Sequence, residues 1–226
     1  MKTDVFSYFD HLGYLFTGAT GLAGARLLTG WPPGALPTDL VTIALWTITA
    51  YLTGHAIAFL ASTILEHLLV AKLLGYPTTH LLETTTPSIP WRRLVRIAPL
   101  SVTFRNDLRT AQDALFGPSF TELSTSDQFI LQHHYVSRHD TLSAQRLLTF
   151  ISQYDLMRNT STIAIILATI AITQARWGTS ALLIAAALLF FLRYYKFLRL
   201  FAIELLFAIR ILGGTHYEEA LQQGAT

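Results

Sequence analysis

The segment 40–65 limits what this chain can fold into more than any other stretch of its sequence. It reads LVTIALWTITAYLTGHAIAFLASTIL and contains no Asp, Glu, Lys or Arg. A helix of about 20 apolar residues crosses the hydrocarbon core of a bilayer. The segment therefore predicts a membrane-spanning helix, and with it an integral membrane protein.

The composition of the whole chain agrees with this prediction. Hydrophobic residues make up 52% of the 226 residues and charged residues only 13%, whereas roughly a quarter of the residues of a typical soluble domain are charged. The formal net charge of +2 gives no electrostatic reason to expect a nucleic-acid partner. The sequence contains no cysteine, which excludes disulfides, thiolate metal sites and cysteine nucleophiles within it.

Four apolar segments are predicted to cross the membrane, at about 11–29, 40–65, 160–175 and 180–195. The last two are short for a span, so we expect Trp177, Tyr194 and Tyr195 to complete them at the membrane interfaces, together with the long side chains of Arg158 and Arg193. The first is the least hydrophobic. Its small residues Thr17, Gly21 and Ala25 recur every four positions, a pattern that favours close packing against neighbouring helices.

The placement of arginine predicts how the spans are oriented. Eight arginines lie between 76 and 158, namely Arg92, Arg93, Arg96, Arg105, Arg109, Arg138, Arg146 and Arg158. The connector 30–39 has no basic residue and the turn 176–179 has only Arg176. Because basic residues stay in the cytoplasm, both termini and the central region are predicted to be cytoplasmic, in a multi-pass protein of a bacterial inner membrane.

The basic segment WRRLVRIAPL admits two interpretations. Arg92, Arg93 and Arg96 could bind lipid headgroups as part of an amphipathic segment that lies on the membrane. They could equally be ordinary basic residues flanking a span. Both interpretations place the lipid bilayer next to this segment.

The predicted fold is all-α, with segments 1–75, 76–157 and 158–226 as its divisions. The second helix is predicted from the cap signal Thr38-Asp39 to Gly75, roughly 50 Å at 1.5 Å per residue, which exceeds the hydrocarbon thickness of about 30 Å. The last helix is also predicted to extend beyond the bilayer, and to end at Gly213-Gly214. Between these two long helices, further helices are predicted near 91–97, 103–116, 126–138 and 140–158.

Four polar side chains interrupt the second span at helical spacing: Tyr51, His55, Ser62 and Glu66. At about 100° per residue they share one side of a regular helix. Counted along the helix, His55 lies in the hydrocarbon layer and Glu66 near the cytoplasmic headgroups. A titratable side chain in the hydrocarbon layer, here that of His55, is a candidate functional residue.

A packing role for this side of the helix is the favoured interpretation. Ala50, Gly54, Ala58 and Ser62 form a ridge of small residues against which another helix can pack, with His55 making one interhelical hydrogen bond. Proton sensing or conduction, and catalysis, stay open as alternatives.

Two further groups of polar residues are candidates for ion pairing or metal binding. Glu66 is expected to pair with Arg158 or Arg193, because an unpaired charge near the headgroups is costly. The histidines of HHYVSRHD are expected to be solvated, since His134 and His139 are five residues apart and point in different directions on a helix. We therefore predict no metal site and no cofactor.

Several motifs resemble a group of bacterial polytopic membrane proteins. They are YFDHLGYLFTG, YLTGHAIAFLASTILEH, LGYP, YDLMRN and LFFLRYYKFLRLFA, and the second follows the pattern YLxGHxxAxxxSxxxE. The resemblance touches most of the chain. It implies a multi-pass membrane protein, but no activity and no catalytic residue.

The function predicted from these features is non-enzymatic. We expect a membrane sensor, anchor or assembly subunit that forms homo-oligomers or binds a cytosolic protein. One alternative is an ion channel or pore lined by Tyr51, His55 and Ser62. The other is an intramembrane enzyme that uses His55 and Glu66.

Overall fold

The computed structural model describes residues 4–30, 39–82 and 99–224. Within these ranges the chain forms seven α-helices: α1 Asp4–Thr29, α2 Leu40–Ala61, α3 Pro77–Leu82, α4 Val102–Phe116, α5 Thr125–His139, α6 Thr141–Thr173 and α7 Trp177–Gly224. The predicted all-α class is confirmed for the described residues, where the helices predicted at 103–116 and 126–138 correspond to α4 and α5. The helix predicted near 91–97 and the residues Arg92, Arg93 and Arg96 lie outside the described residues.

Three stretches are long and apolar enough to cross a membrane: Leu40–His67, Thr141–Thr173 and Trp177–Thr215. The first predicted span, 11–29, lies in α1, a helix of 26 residues that is not among the three found in the described part of the chain. Its Gly and Thr content lowers its hydrophobicity. The count of four spans therefore stays a prediction.

The second predicted helix is continuous from its cap to Gly75. Asp39 Oδ1 accepts a hydrogen bond of 2.9 Å from the backbone N–H of Thr42, which caps the start of α2. From Ser62 to Leu74 the helix continues in the wider π form. It ends at Gly75, whose φ of 78° favours glycine. The π form changes the angle between successive residues, so the 100° spacing no longer holds beyond Ser62.

Helices α6 and α7 are longer than the spans predicted for them. The helix predicted at 140–158 and the apolar segment after it form one helix, α6, whose start is capped by Asp140 Oδ1, an acceptor for the N–H groups of Leu142 and Ser143 at 3.0 and 3.1 Å. Ala175, with a φ of 56°, occupies the turn into α7 in the left-handed conformation that glycine usually takes there.

The prediction that the last helix ends at Gly213-Gly214 is wrong, because α7 continues to Gly224. Gly213 is buried within the helix, and a Cβ at this position would clash with Ala111 of α4. The glycine therefore allows two helix backbones to approach closely instead of ending the helix.

The described residues form two compact units, and α6 and α7 contribute to both. Unit 1 comprises the residues up to Gly75 together with Ser152–Phe197, and unit 2 comprises Tyr76–Ile151 together with the residues from Leu198 onward. The core of unit 1 contains Leu28, Ile57, Ile163, Leu167 and Ala171. The core of unit 2 contains Leu81, Phe104, Leu108, Val136, Leu147, Phe201, Ala202, Leu205, Leu206, Ala208 and Ile209.

Candidate functional site

Helices α1 and α2 cross in direct backbone contact within unit 1. A Cβ at Gly18 would clash with the backbone of Ala50 and Gly54, and a Cβ at Gly54 would clash with the backbone of Tyr14. Ala50 and Ala58 are 6% and 9% exposed. Small residues on both helices thus permit the close approach that helix pairs in membranes use.

The small residues predicted on α1 lie on its packed side. Thr17 is 1% exposed, a Cβ at Gly21 would lie 3.1 Å from Ile57 Cδ1, and Ala25 packs against the core of unit 1. Two glycines of α1 that the sequence pattern did not single out contribute as well. Gly18 faces α2, and Gly24 makes room for the side chain of Leu167 in α6.

His55 lies off the packed ridge, on the exposed side of α2. Its ring contacts Tyr14 and Tyr51, with ring centroids 4.2 and 4.6 Å away. Tyr51 Oη lies 2.8 Å from His11 Nδ1 of α1. We refer to His11, Tyr14, Tyr51 and His55 as the aromatic face. The ring contact of His55 with Tyr14 joins α2 to α1, whereas the sequence suggested an interhelical hydrogen bond.

Glu66 belongs to an ionic cluster between the π-helical segment that follows α2 and helix α6. Arg158 Nη1 lies 2.7 Å from Glu66 Oε2, and Arg158 Nη2 lies 2.8 Å from Asp155 Oδ1. The side chain of Arg158 is 11% exposed and that of Glu66 27%. Ser62 Oγ donates a long hydrogen bond of 3.5 Å to Glu66. One guanidinium therefore links a carboxylate on each helix, and Ser62 and Glu66, both in the predicted polar set, contact each other.

The other predicted partner of Glu66 lies elsewhere. Arg193 is exposed and its guanidinium carbon lies 5.9 Å from the ring centroid of Phe197. The nearby Tyr194 and Tyr195, predicted to lie at a membrane interface, are only 0% and 2% exposed, so they contact other residues of the chain and not a lipid surface. Tyr195 donates a hydrogen bond of 3.0 Å to the carbonyl of Gly75, which ties α7 to the end of the π-helical segment.

Unit 2 has its own ion pairs. Arg210 Nη2 of α7 lies 2.6 Å from Asp107 Oδ2 of α4, and its guanidinium carbon lies 5.0 Å from the ring centroid of Phe104. Arg210 and Asp107 border an open groove of about 580 Å³ along α4 and α7. Arg146 and Glu204 form a second pair at 3.3 Å.

The histidines of α5 differ in their surroundings. His134 and His139 are exposed, whereas His133 is half-buried, with its ring centroid 6.0 Å from that of Phe201. Burial lowers the pKa of His133, and the neighbouring His134 lowers it further. The part of the chain that the structure describes contains no group of three His, Asp or Glu residues arranged to hold a metal ion.

Sequence reasoning missed two polar residues of α6. Asp155 lies one helical turn before Arg158, and the i, i+3 spacing of opposite charges was the signal available for it. Asn159 is buried, 3% exposed, and nothing in its spacing marked it.

Comparison with known proteins finds no matching family model, no matching curated protein and no matching solved structure.

Proposed function

We propose that this chain is a non-enzymatic, multi-pass membrane protein that assembles with copies of itself to act as a membrane anchor or sensor. The observation that carries the proposal is the exposure of its apolar helices. In the three stretches with the length and composition of a span, only 28%, 44% and 17% of the most apolar window is buried inside the chain. Water would oppose exposure of so much apolar surface, whereas lipid or another protein would favour it.

The proposed topology has four spans, with α1 as the first. Both termini and residues 76–157 lie in the cytoplasm, and the membrane is the inner membrane of a bacterium. Support comes from the eight arginines between 76 and 158 and from the near absence of basic residues in the two outer turns. The fit of α1 against Ala50, Gly54 and Leu167 gives this weakly hydrophobic helix protein neighbours in place of lipid.

Self-assembly is proposed to use the aromatic face. His55 is exposed on a helix whose neighbouring exposed residues are apolar, among them Leu52 and Phe59 at 62% and 72%. An imidazole that faces hydrocarbon is energetically unfavourable. Hydrogen bonds from a protein partner would offset this cost. A second copy of the chain supplies histidine and tyrosine groups of the same kind, as a two-fold contact requires.

The molar mass of the protein in mild detergent tests this proposal. Light scattering should give a multiple of the 25.2 kDa chain mass. His55→Leu should shift the distribution towards the monomer, whereas Arg193→Gln, at an exposed position outside the aromatic face, should leave it unchanged. A monomer over the whole accessible concentration range would overturn the proposed assembly.

A pore is the second candidate, and the same exposed histidine favours it. In an oligomer, Tyr51, His55 and Ser62 would line a lumen if they faced the symmetry axis instead of a neighbouring helix. Ion flux into liposomes separates the two candidates. Flux that His55→Leu alters would favour the pore, and an oligomer without flux would favour the anchor or sensor.

The contacts of His55 and Glu66 give the enzyme alternative little support. Among the described residues His55 contacts Tyr14 and Tyr51, and Glu66 contacts Ser62 and Arg158. A shared catalytic role would require both side chains to reach one substrate.

A further inference from the structure

Unit 1 contains a small cavity between α1 and α6 that the proposed function does not use. Its volume is about 30 Å³, and its lining includes Thr17 of α1 and Ser152, Asp155 and Asn159 of α6. Thr17 and Asn159 are 1% and 3% exposed. Within the described part of the chain, Thr17 Oγ1 and Asn159 Oδ1 are buried without a hydrogen-bond partner.

A buried oxygen without a partner is unfavourable, because it loses its hydration without compensation. Thr17 and Asn159 line the same cavity. A group bound there that contacted both oxygens would satisfy both.

The size of the cavity restricts what that group can be. A cavity needs roughly 10–15 Å³ to hold one water molecule, so this one accepts a water or an ion of similar size. Calcium takes 6–8 oxygen ligands, commonly with several carboxylates, and magnesium usually keeps several waters, whereas the lining includes only the carboxylate of Asp155. This single carboxylate favours a monovalent ion over a divalent one. One water molecule and one dehydrated monovalent cation remain.

The chemistry of the lining favours the cation. Hydroxyl, amide and carboxylate oxygens are the ligands that hard cations select, and here they come from Thr17, Asn159 and Asp155. Asp155 adds a negative charge to the lining, even though its Oδ1 also contacts Arg158. Both atoms that lack a partner are oxygens, and a cation would bind the two together.

We propose that this cavity binds one monovalent cation of about the size of sodium, with Thr17, Asn159 and Asp155 as ligands. The site differs from the expectation, drawn from the sequence, that the chain holds no metal. It also goes beyond the proposed assembly function, because it joins two helices of one chain. Binding would hold the weakly hydrophobic α1 against α6.

Thermal unfolding of the full chain in mild detergent tests the site. Sodium chloride is exchanged for choline chloride or potassium chloride at constant total salt, so that only the cation changes. A ligand that binds only the folded state raises its stability as the ligand concentration rises. The melting temperature should therefore rise with sodium, rise less with potassium and stay constant with choline.

Substitutions of the proposed ligands test whether the sodium dependence of the melting temperature arises at this cavity. Thr17→Val and Asn159→Leu should each abolish the dependence on sodium, while Thr20→Val, which removes an exposed hydroxyl of the same helix bonded to the carbonyl of Phe16, should retain it. Equilibrium dialysis of wild-type protein with radioactive sodium gives an independent measurement that does not depend on any variant folding. One ion bound per chain supports the site. Identical melting in sodium and choline, or a Thr17→Val protein that keeps the sodium effect, overturns it and leaves the cavity to water.

Discussion

Arg158 of α6 lies 2.7 Å from Glu66 at the cytoplasmic end predicted for the second span, and the same guanidinium lies 2.8 Å from Asp155. Its side chain is 11% exposed, so water contributes little to its solvation. The cluster therefore depends on its own charges to compensate for burial.

Breaking this pair should destabilise the protein. Glu66→Gln or Arg158→Gln should lower the free energy of unfolding by roughly 1.5–3 kcal/mol, the range for hydrogen bonds to charged groups. The double variant should cost less than the sum, because either change alone already breaks the pair. Denaturant unfolding in mild detergent measures all three.

The matched control is Arg146→Gln, whose 58% exposed side chain predicts a loss below about 1 kcal/mol. Strict additivity of the double variant would contradict a direct interaction.

The backbone contact between α1 and α2 predicts a sharp dependence on side-chain size. Gly54→Ala should lower the free energy of unfolding by roughly 1–3 kcal/mol, since its Cβ would clash with the backbone of Tyr14. Gly178→Ala adds the same methyl group where no atom lies within 4 Å, and should be neutral or slightly stabilising. The comparison of their melting temperatures checks this. Equal effects of the two substitutions would argue against close packing of α1 on α2.

The stability of unit 2 should decrease in mild acid through His133. Its folded pKa is lowered by burial first and by His134 second, so the unfolded chain binds its proton more readily. The stabilisation is present above the unfolded pKa of about 6.5 and is lost as the pH falls below that value towards the folded pKa. His133→Leu should reduce the decline in melting temperature over this window. His139→Gln, an exposed change in the same helix, should preserve it, and a decline unaltered by His133→Leu would contradict the assignment.

The ends of the helices show which features were readable from the sequence. The Asp39 cap and Gly75 were correct signals for the second helix, because a capping side chain and a glycine with positive φ act through local geometry. Gly213-Gly214 gave the same local signal, but the helix does not end there. The reason is the contact of Gly213 with Ala111 of α4, a tertiary interaction between residues about a hundred positions apart in the chain.

In the candidate sites, too, some features could be predicted from the sequence and others could not. The sequence placed Glu66 and Arg158 at similar depth, and depth follows from counting residues along a helix. It could not show that His55 is exposed while its neighbour Gly54 is buried, because which side of a helix meets its neighbours depends on how the helices cross. The cavity beside Thr17 and Asn159 requires α1 and α6 to be assembled, and no spacing within either helix indicates it.

The proposed topology can be tested with single cysteines, because the chain has none of its own. Ala35→Cys and Gly178→Cys should react with a membrane-impermeant thiol reagent in intact cells, since both lie in the proposed outer turns. Thr125→Cys, in the proposed cytoplasmic region, should react only after the membrane is opened. The opposite pattern of labelling would invert the topology.

Self-assembly through the aromatic face is the central claim, and cysteine crosslinking in native membranes tests it most directly. Leu52 is 62% exposed on α2 and lies one turn from His55, so Leu52→Cys leaves the aromatic face intact; Leu182 on α7 is 71% exposed and serves as the matched control. On oxidation, Leu52→Cys should form a covalent dimer and Leu182→Cys should not. Absence of a dimer with Leu52→Cys, or equal crosslinking at both positions, would contradict assembly through this face.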